Sequence, residues 1–360
     1  MLEGANVTRK TQLHLDRCLT CRNCETTCPS GVEYGRLVEI GRHVVEQRVG
    51  RPAHESVLRW ALREGLTSPL FGPAFKLGQA LRPLLPTALK NKVPPRPGAG
   101  AHRWPTREHP RKVLLLLGCV QPAMLPNINS ATARVLDAAG IQTLVADAAG
   151  CCGAIRSHAG DRAGGLADMR RNVDAWWPQV DSGAIEAIVM NASGCGVTVK
   201  EYGHALAADP AYAQRAARIA GLTRDLSELL PDIAPILKPR LRPIEARAQT
   251  RLTLHPPCSL QHGQQLRGTI EATLNDLGFD VRLAAAESHL CCGSAGTYSI
   301  TQPQLATELR NRKLAQLNRP GVQAIVSANI GCIQHLQSGT TTPVKHWIEV
   351  LDEALDERRG

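Results

Sequence analysis

Aromatic side chains are scarce in this chain: phenylalanine, tryptophan and tyrosine together make up 3% of its 360 residues. Sequence-tolerant binding of nucleic acid single strands needs rings on which bases stack, and no recognition motif is visible. The formal net charge of +10 is therefore not read as a nucleic-acid footprint. Much of the cationic excess sits in connecting stretches, where Arg82, Lys90, Lys92, Arg96, Arg103, Arg107, Arg111 and Lys112 are opposed only by Glu108. Such a surface points to an acidic partner subunit or an anionic membrane face. Long apolar runs are missing too. None approaches the length that spans a bilayer, and the opening Met-Leu-Glu-Gly-Ala-Asn-Val-Thr-Arg-Lys has no apolar stretch suited to a signal peptide. The expectation is a cytoplasmic protein, at most peripheral at the inner face of the cell membrane. A strand–GxGxxG–helix nucleotide fingerprint is also absent, and Gly293-Ser294-Ala295-Gly296 is too short to stand for one. Hydride transfer on a bound dinucleotide is accordingly not expected.

Cysteine, by contrast, occurs twelve times. In a small secreted domain this would suggest disulfides, but in a chain of this size without an export signal the thiols read as reduced metal ligands. Cys18, Cys21 and Cys24 fall at every third position, and Cys28-Pro29 closes the run. This is the spacing of a [4Fe–4S] cluster loop. A tight loop with thiolates at i, i+3 and i+6 wraps three corners of a cube while its amides point at the sulfides, and the proline turns the chain away. A zinc knuckle or a reactive thiol pair competes with this reading, yet zinc sites usually pair two short Cys-x-x-Cys hooks far apart in sequence. After the loop, Ser30 and Glu33 have capping-box spacing, and Leu37, Ile40 and Val44 recur at helical spacing. The pattern predicts a helix with these three facing a core. From Val57 to Lys92, apolar and basic residues alternate around Pro69, Pro73 and Pro83, which predicts short amphipathic helices serving as a connector, a subunit-docking face or a membrane-surface contact. Val93 to Pro105 reads as a linker.

Beyond the linker, short apolar runs alternate with helical patterns, the signature of an α/β fold with parallel sheets. Val113–Leu117 runs into Cys119, Ile141–Ala146 into Cys151-Cys152-Gly153, and Ile185–Met190 into Cys195. Loops leaving parallel strands share one edge of the sheet, where ligands bind, so these cysteines should converge. The arrangement recurs: Leu252–Leu254 leads to Cys258, Val281–Leu283 to Cys291-Cys292-Gly293, and Ala324–Ser327 to Cys332. Cys119 and Cys258 lie 139 residues apart, Cys151 and Cys291 140, and Cys195 and Cys332 137. Near-equal offsets of this length signal a duplicated domain, with a proline- and arginine-rich stretch from about Leu229 to Arg251 joining the copies. Adjacent cysteines cannot bridge each other without strain but can ligate one multinuclear cluster, with the glycine letting the backbone approach. Buried, redox-idle cysteines are the competing reading. His158, His255, His262, His289 and His335 stand near these loops, and any of them is a candidate replacement for a missing thiolate.

These residues carry a resemblance. His14-Leu15-Asp16-Arg17 with Cys18 to Cys28, Ala149-Gly150-Cys151-Cys152-Gly153-Ala154, Asp174-Ala175-Trp176-Trp177-Pro178, Ala192-Ser193-Gly194-Cys195-Gly196, the stretch Ser288 to Tyr298, and Ala328 to Cys332 resemble the iron–sulfur subunits of bacterial glycolate oxidase, also called glycolate dehydrogenase. The resemblance implies a small helical ferredoxin-type domain followed by two α/β cysteine-rich (CCG) domains, laid out as residues 1–56, a connector over 57–105, 106–228, a linker over 229–250, and 251–360. It further implies a [4Fe–4S] cluster on Cys18, Cys21 and Cys24, with Cys28, and further iron–sulfur clusters on Cys119, Cys151, Cys152 and Cys195 and on Cys258, Cys291, Cys292 and Cys332. Electrons would come from an FAD-containing subunit that oxidises glycolate or D-lactate and pass to a quinone or another carrier. The family ordinarily has a second cysteine run upstream, and the fourth cysteine of each run ligates the other cluster, so a start upstream of Met1 is expected. The CCG halves are also similar to those of heterodisulfide reductase and lactate-utilisation proteins. The heterodisulfide type ends each copy in Cys-x-x-Cys, whereas Ala192 and Asn329 occupy the earlier positions here, which speaks against disulfide reduction. A thiol/disulfide redox subunit and a zinc-stapled assembly scaffold remain the competing functions.

Overall fold

A computed structural model describes residues 7–84, 86, 93, 95–96 and 98–356. Lys90 and Lys92 of the basic stretch, and Pro94 and Pro97 of the linker, lie outside the described residues. Two four-stranded parallel sheets dominate. In the first, β1 (Arg111–Leu115), β2 (Ile141–Leu144), β3 (Ala187–Met190) and β4 (Thr223–Asp225) lie in the order β2-β1-β3-β4. In the second, β5 (Arg251–His255), β6 (Asp280–Leu283), β7 (Ala324–Ser327) and β8 (Val344–His346) repeat it as β6-β5-β7-β8. The duplication expected from cysteine spacing is thus a duplication of topology. Three-residue strands β4 and β8 are too short to leave a periodic signal in sequence.

Both faces of each sheet are covered, so the inner strands β3 and β7 are buried along their whole length and are apolar but for Ser327. Alternate residues serve different layers. Val113 and Leu115 point into an apolar cluster shared with Leu252, Leu254 and Val326 of the second sheet. Leu114 and Leu116 pack instead against Trp176 and Tyr202. Helices Pro126–Ala138, Leu226–Leu237 and Trp347–Glu353 contribute to the shared cluster. At its rim Arg134 Nη2 meets Asp352 Oδ2 at 2.6 Å, and Asn127 Nδ2 donates to Glu349 Oε1 at 2.8 Å. One interior therefore belongs to both copies.

Two readings of the sequence need correction. The joining stretch from about Leu229 begins inside helix Leu226–Leu237. Asp225 and Glu228 form its capping box, and Leu226, Leu230, Ile233, Ala234 and Leu237 make a buried stripe, while Pro231 and Pro235 lie on the exposed side. The second correction concerns helix Tyr34–Arg48, whose Leu37 and Ile40 are 46% and 55% exposed rather than core-facing, with Val44 half-buried. Its buried face is Gly35, Gly41 and Val45. A Cβ on Gly35 would stand 2.9 Å from both Arg22 Nε and Glu25 Oε1, so polar side chains from the cysteine loop occupy the space that the apolar stripe was expected to fill. Charge holds much of this helical region together. Arg51 Nη1 lies 2.6 Å from Asp16 Oδ2, Arg59 Nη2 lies 2.9 Å from Asp16 Oδ1, and buried Gln12 donates to Val49 O at 3.3 Å. The amphipathic helices expected after Val57 appear as Ala53–Thr67 and Phe71–Ala80, with Val57, Trp60 and Leu77 exposed.

A common interior has a measurable consequence. Truncating fully buried Trp347 to alanine should destabilise by roughly 3–5 kcal/mol, and both copies should unfold in one urea transition, whereas a first copy that keeps its original midpoint would contradict the shared core. A second expectation concerns acid. His346 caps helix Trp347–Glu353 by accepting from Ile348 N at 3.2 Å, and burial pushes its imidazole down to about 3. Its folded value lies below the unfolded 6.5, so its contribution is complete above that pH and is lost as pH falls through the window down to about 3. Replacing it with asparagine, a cap that does not titrate, should reduce the drop in urea midpoint between about pH 7 and 5; an unchanged drop would show that the cap is not part of the acid sensitivity.

Candidate metal centres

Cys18 and Cys21 lie in the loop between helices Arg9–Asp16 and Asn23–Thr27, Cys24 lies in the first turn of the second helix, and Cys28 follows its end. Thr20 and Arg22 bracket Cys21 with φ of 52° and 59°, left-handed values that non-glycine residues rarely adopt and that cost roughly 1–3 kcal/mol each. Alternating handedness of this kind turns successive amides inward and makes an anion-binding concavity; Thr20 N lies 3.5 Å from Cys18 Sγ. Arg42 braces the loop, donating to Cys18 O (2.7 Å), Leu15 O (3.0 Å) and Thr20 Oγ1 (3.1 Å). Burial, and then the neighbouring thiols, push Cys21 and Cys24 up. Cys18, Cys21 and Cys24 are thus brought together. Cys28 stands apart, its thiol held below the ordinary range by the backbone amides of Val32 and Ser30 and by the Tyr34 hydroxyl.

Each sheet gathers its own four cysteines. Cys119 follows β1, Cys151-Cys152 follow β2, and Cys195 follows β3, around the β1/β3 crevice where the strand order switches. Hydrogen bonds from Cys119 and Cys152, then the amides of Gly153 and Ile155, lower Cys151 far below an ordinary thiol, while Cys119 and Cys152 are raised. The second sheet repeats this. Cys258 Sγ lies 3.8 Å from Cys291 Sγ, Gly293 N points at Cys291 Sγ at 3.4 Å, and Cys291 is lowered while Cys258 and Cys292 are raised. The glycine after each pair is required: Gly153 and Gly293 have φ of 95° and 89°, and an added Cβ would stand 2.8 Å from Gly165 O and 2.6 Å from Ala306 O respectively.

The surroundings of the two groups differ. Asn172 donates to Cys151 O (2.8 Å) and Tyr202 Oη to Cys152 O (2.9 Å) in the first copy. In the second, buried Lys313 donates to Glu287 O (2.5 Å) and Ser288 O (3.4 Å). Asp168 faces the first group; burial and then the Cys151 sulfur push its carboxyl up to about 6. Asn329, where a further cysteine was noted as missing, donates Nδ2 to Cys332 Sγ at 3.7 Å.

The loop and the sulfurs of the second copy lie around one junction. A cavity of about 120 Å³ is lined by Cys18, His158, Cys258, Cys291, Asn329 and Cys332 among others, and Cys21 is close enough to Cys291 and Cys258 for their charges to interact. The loop is docked on both copies. Arg22 Nη2 meets Glu201 Oε2 at 2.8 Å, and Thr26 Oγ1 lies 3.0 Å from His262 Nδ1, whose Nε2 donates to His289 O at 2.9 Å. Ser193 Oγ and Ser259 Oγ touch across the copies at 2.7 Å, beside Ser193 N donating to Ala328 O at 3.0 Å. Of the candidate histidines, His262 has both ring nitrogens engaged, His335 Nε2 donates to Ala306 O at 3.0 Å, and His289 is exposed. His158, pushed down to about 4 by burial, lines the junction, and His255, pushed down to about 3, is sealed beside the second group.

Arg22, Arg42, Thr26 and Lys313 escaped the sequence reading. Lys313 had a signal: it falls on the buried stripe of Ala306, Leu314 and Leu317 in helix Pro303–Leu317, where a charge is out of place. The donor sets fit iron–sulfur chemistry, since clustered soft thiolates with amides aimed at sulfur suit it and hard-cation binding does not.

The cysteine-rich CCG domain model matches residues 113–200 and 252–337. The glycolate oxidase iron–sulfur subunit of Escherichia coli (strain K12) is 49% identical over 99% of this chain and 86% of its own length. A probable glycolate oxidase iron–sulfur subunit of Bacillus subtilis (strain 168) is 27% identical over 90% and 77%, and lactate utilization protein A of the same organism is 24% identical over 67% and 99%. With nearly the full length matched at this identity, the chain belongs to the family of glycolate oxidase iron–sulfur subunits.

Proposed function

We propose that this chain is the electron-carrying subunit of a glycolate oxidase complex, taking electrons from a separate FAD-containing subunit that oxidises glycolate or D-lactate and passing them to a quinone or another carrier. The observation that carries this reading is the junction at which the Cys18–Cys24 loop faces Cys258 and Cys291. Cys18, Cys21 and Cys24 would hold a [4Fe–4S] cluster, and the CCG cysteines would hold further clusters; such groups, when bound, accept and release electrons one at a time. Cys28, whose thiol is separate from the other three, suits the arrangement in which the fourth cysteine of a run serves a neighbouring cluster. The protein's own part is to position and insulate. Arg42 fixes the loop, Arg22 and Thr26 seat it between the copies, and the paired glycines bring the backbone up to the sulfurs. Exposed Val57, Trp60 and Leu77, set among basic residues, support contact with a partner subunit or with the inner membrane face; no helix among the described residues is long and apolar enough to cross a membrane. Ala192 and Asn329 deny each copy a further thiolate, which favours electron carriage over disulfide chemistry.

Changing Cys18, Cys21 and Cys24 together to serine should remove part of the broad visible absorption and lower glycolate-driven dye reduction by the assembled complex at least tenfold, with flavin reduction by glycolate retained. Dye reduction at the unmodified rate, or a colourless preparation holding only zinc, would end the proposal.

A further inference from the structure

The two cysteine groups look alike in sequence but not in their inner walls. His255 ends β5 and is 1% exposed. One of its ring nitrogens and the sulfurs of Cys292 and Cys332 all lie within 4.8 Å of one another. Its Nδ1 lies 3.0 Å from Ser327 Oγ on neighbouring β7, and its Nε2 is sealed from solvent with no hydrogen-bond partner among the described residues. A buried polar atom left without a partner costs on the order of 1–3 kcal/mol; His262 and His335, by contrast, direct ring nitrogens to carbonyl oxygens. With the proton on Nδ1 and donated to Ser327 Oγ, Nε2 keeps a bare lone pair inside the pocket that the ring shares with Cys292 and Cys332, and a hydrogen bond from the other ring nitrogen is what orients liganding histidines.

We propose that His255 Nε2 is a ligand of the centre in the second copy, so that this centre is held by sulfur and one imidazole while that of the first copy is held by sulfur alone. The inference rests on reading the CCG cysteines as cluster sites. Counting back by the 139 residues that separate Cys119 from Cys258 puts Leu116 at the corresponding place in the first copy, and Leu116 is 4% exposed and packed in the apolar cluster with Trp176. That side chain offers no donor. A neutral nitrogen in place of a thiolate removes negative charge from a cluster and raises its reduction potential. Buried Lys313 near Cys291 and Cys292 acts in the same direction, whereas beside the first group Asp168 is paired with Arg171 at 3.1 Å and Arg156 at 3.4 Å and adds little uncompensated charge. The second centre, the one beside the Cys18–Cys24 loop, is therefore the more easily reduced of the two. Duplication has yielded two different sites.

The test uses the full chain, purified anaerobically from cells supplied with ¹⁵N-histidine and poised across the potentials at which its centres are paramagnetic. Pulsed paramagnetic resonance of the unmodified protein should show a directly coordinated ¹⁵N. His255→Leu, which copies the first half, should lose that coupling. His255→Cys should keep the iron content, lose the coupling and shift one midpoint potential downward. Iron content matching filled CCG sites without a coordinated nitrogen, or a coupling that persists in His255→Leu, overturns the ligand assignment and leaves the cluster reading intact. Absence of iron and sulfide from a protein carrying serine at Cys18, Cys21 and Cys24 removes both.

Discussion

Sulfur anions resist burial, and that resistance shapes this protein. Cys151, Cys152, Cys291, Cys292 and Cys332 are buried, with Cys119, Cys195 and Cys258 half-buried beside them. In a low-dielectric interior neighbouring thiols cannot all ionise, and hydrogen bonds from the adjoining thiols hold Cys151 and Cys291 below the ordinary range while Cys119, Cys152, Cys258 and Cys292 are raised. Iron relieves this constraint by accepting several thiolates at once. The left-handed glycines, the strand ends at which the cysteines sit and the amides aimed at sulfur all serve to crowd charge where water cannot screen it.

Duplication supplied the framework and later substitution made the halves unequal. The sheets repeat strand for strand, and the lowered first cysteine of each pair repeats as well. The supports do not. Asn172 and Tyr202 secure the first pair through carbonyls, while Lys313 brings a positive charge under the second. Leu116, just past the end of β1, and His255, the last residue of β5, occupy corresponding places with different chemistry. The two cysteine groups therefore stand in unlike electrostatic surroundings.

Much of this was legible in the sequence, for identifiable reasons. Ligand spacing is set by cluster geometry, so Cys18, Cys21 and Cys24 could be read directly, and near-equal offsets exposed the repeat. Fully buried parallel strands are short apolar runs, and β1, β2, β3, β5, β6 and β7 fell where those runs lie. Periodicity failed where it was asked for direction. Leu37 and Ile40 form a regular stripe, but their helix turns its glycines inward because Arg22 and Glu25 need the room. Prolines disguised helix Leu226–Leu237 as a linker, although they ride on its exposed side. His255 illustrates a further limit: composition marks it as a candidate among five, and only the fold shows that its free nitrogen is shut in with two sulfurs.

The interior common to both sheets also bears on motion. Val113 and Leu115 share one apolar cluster with Leu252 and Val326, and Ser193 meets Ser259 beside the sulfur groups. A hinge between the halves would have to tear that cluster open. The spacing between redox sites is consequently frozen, so this subunit acts as a static wire rather than a swinging arm, and any gating of current falls to whatever docks at its ends.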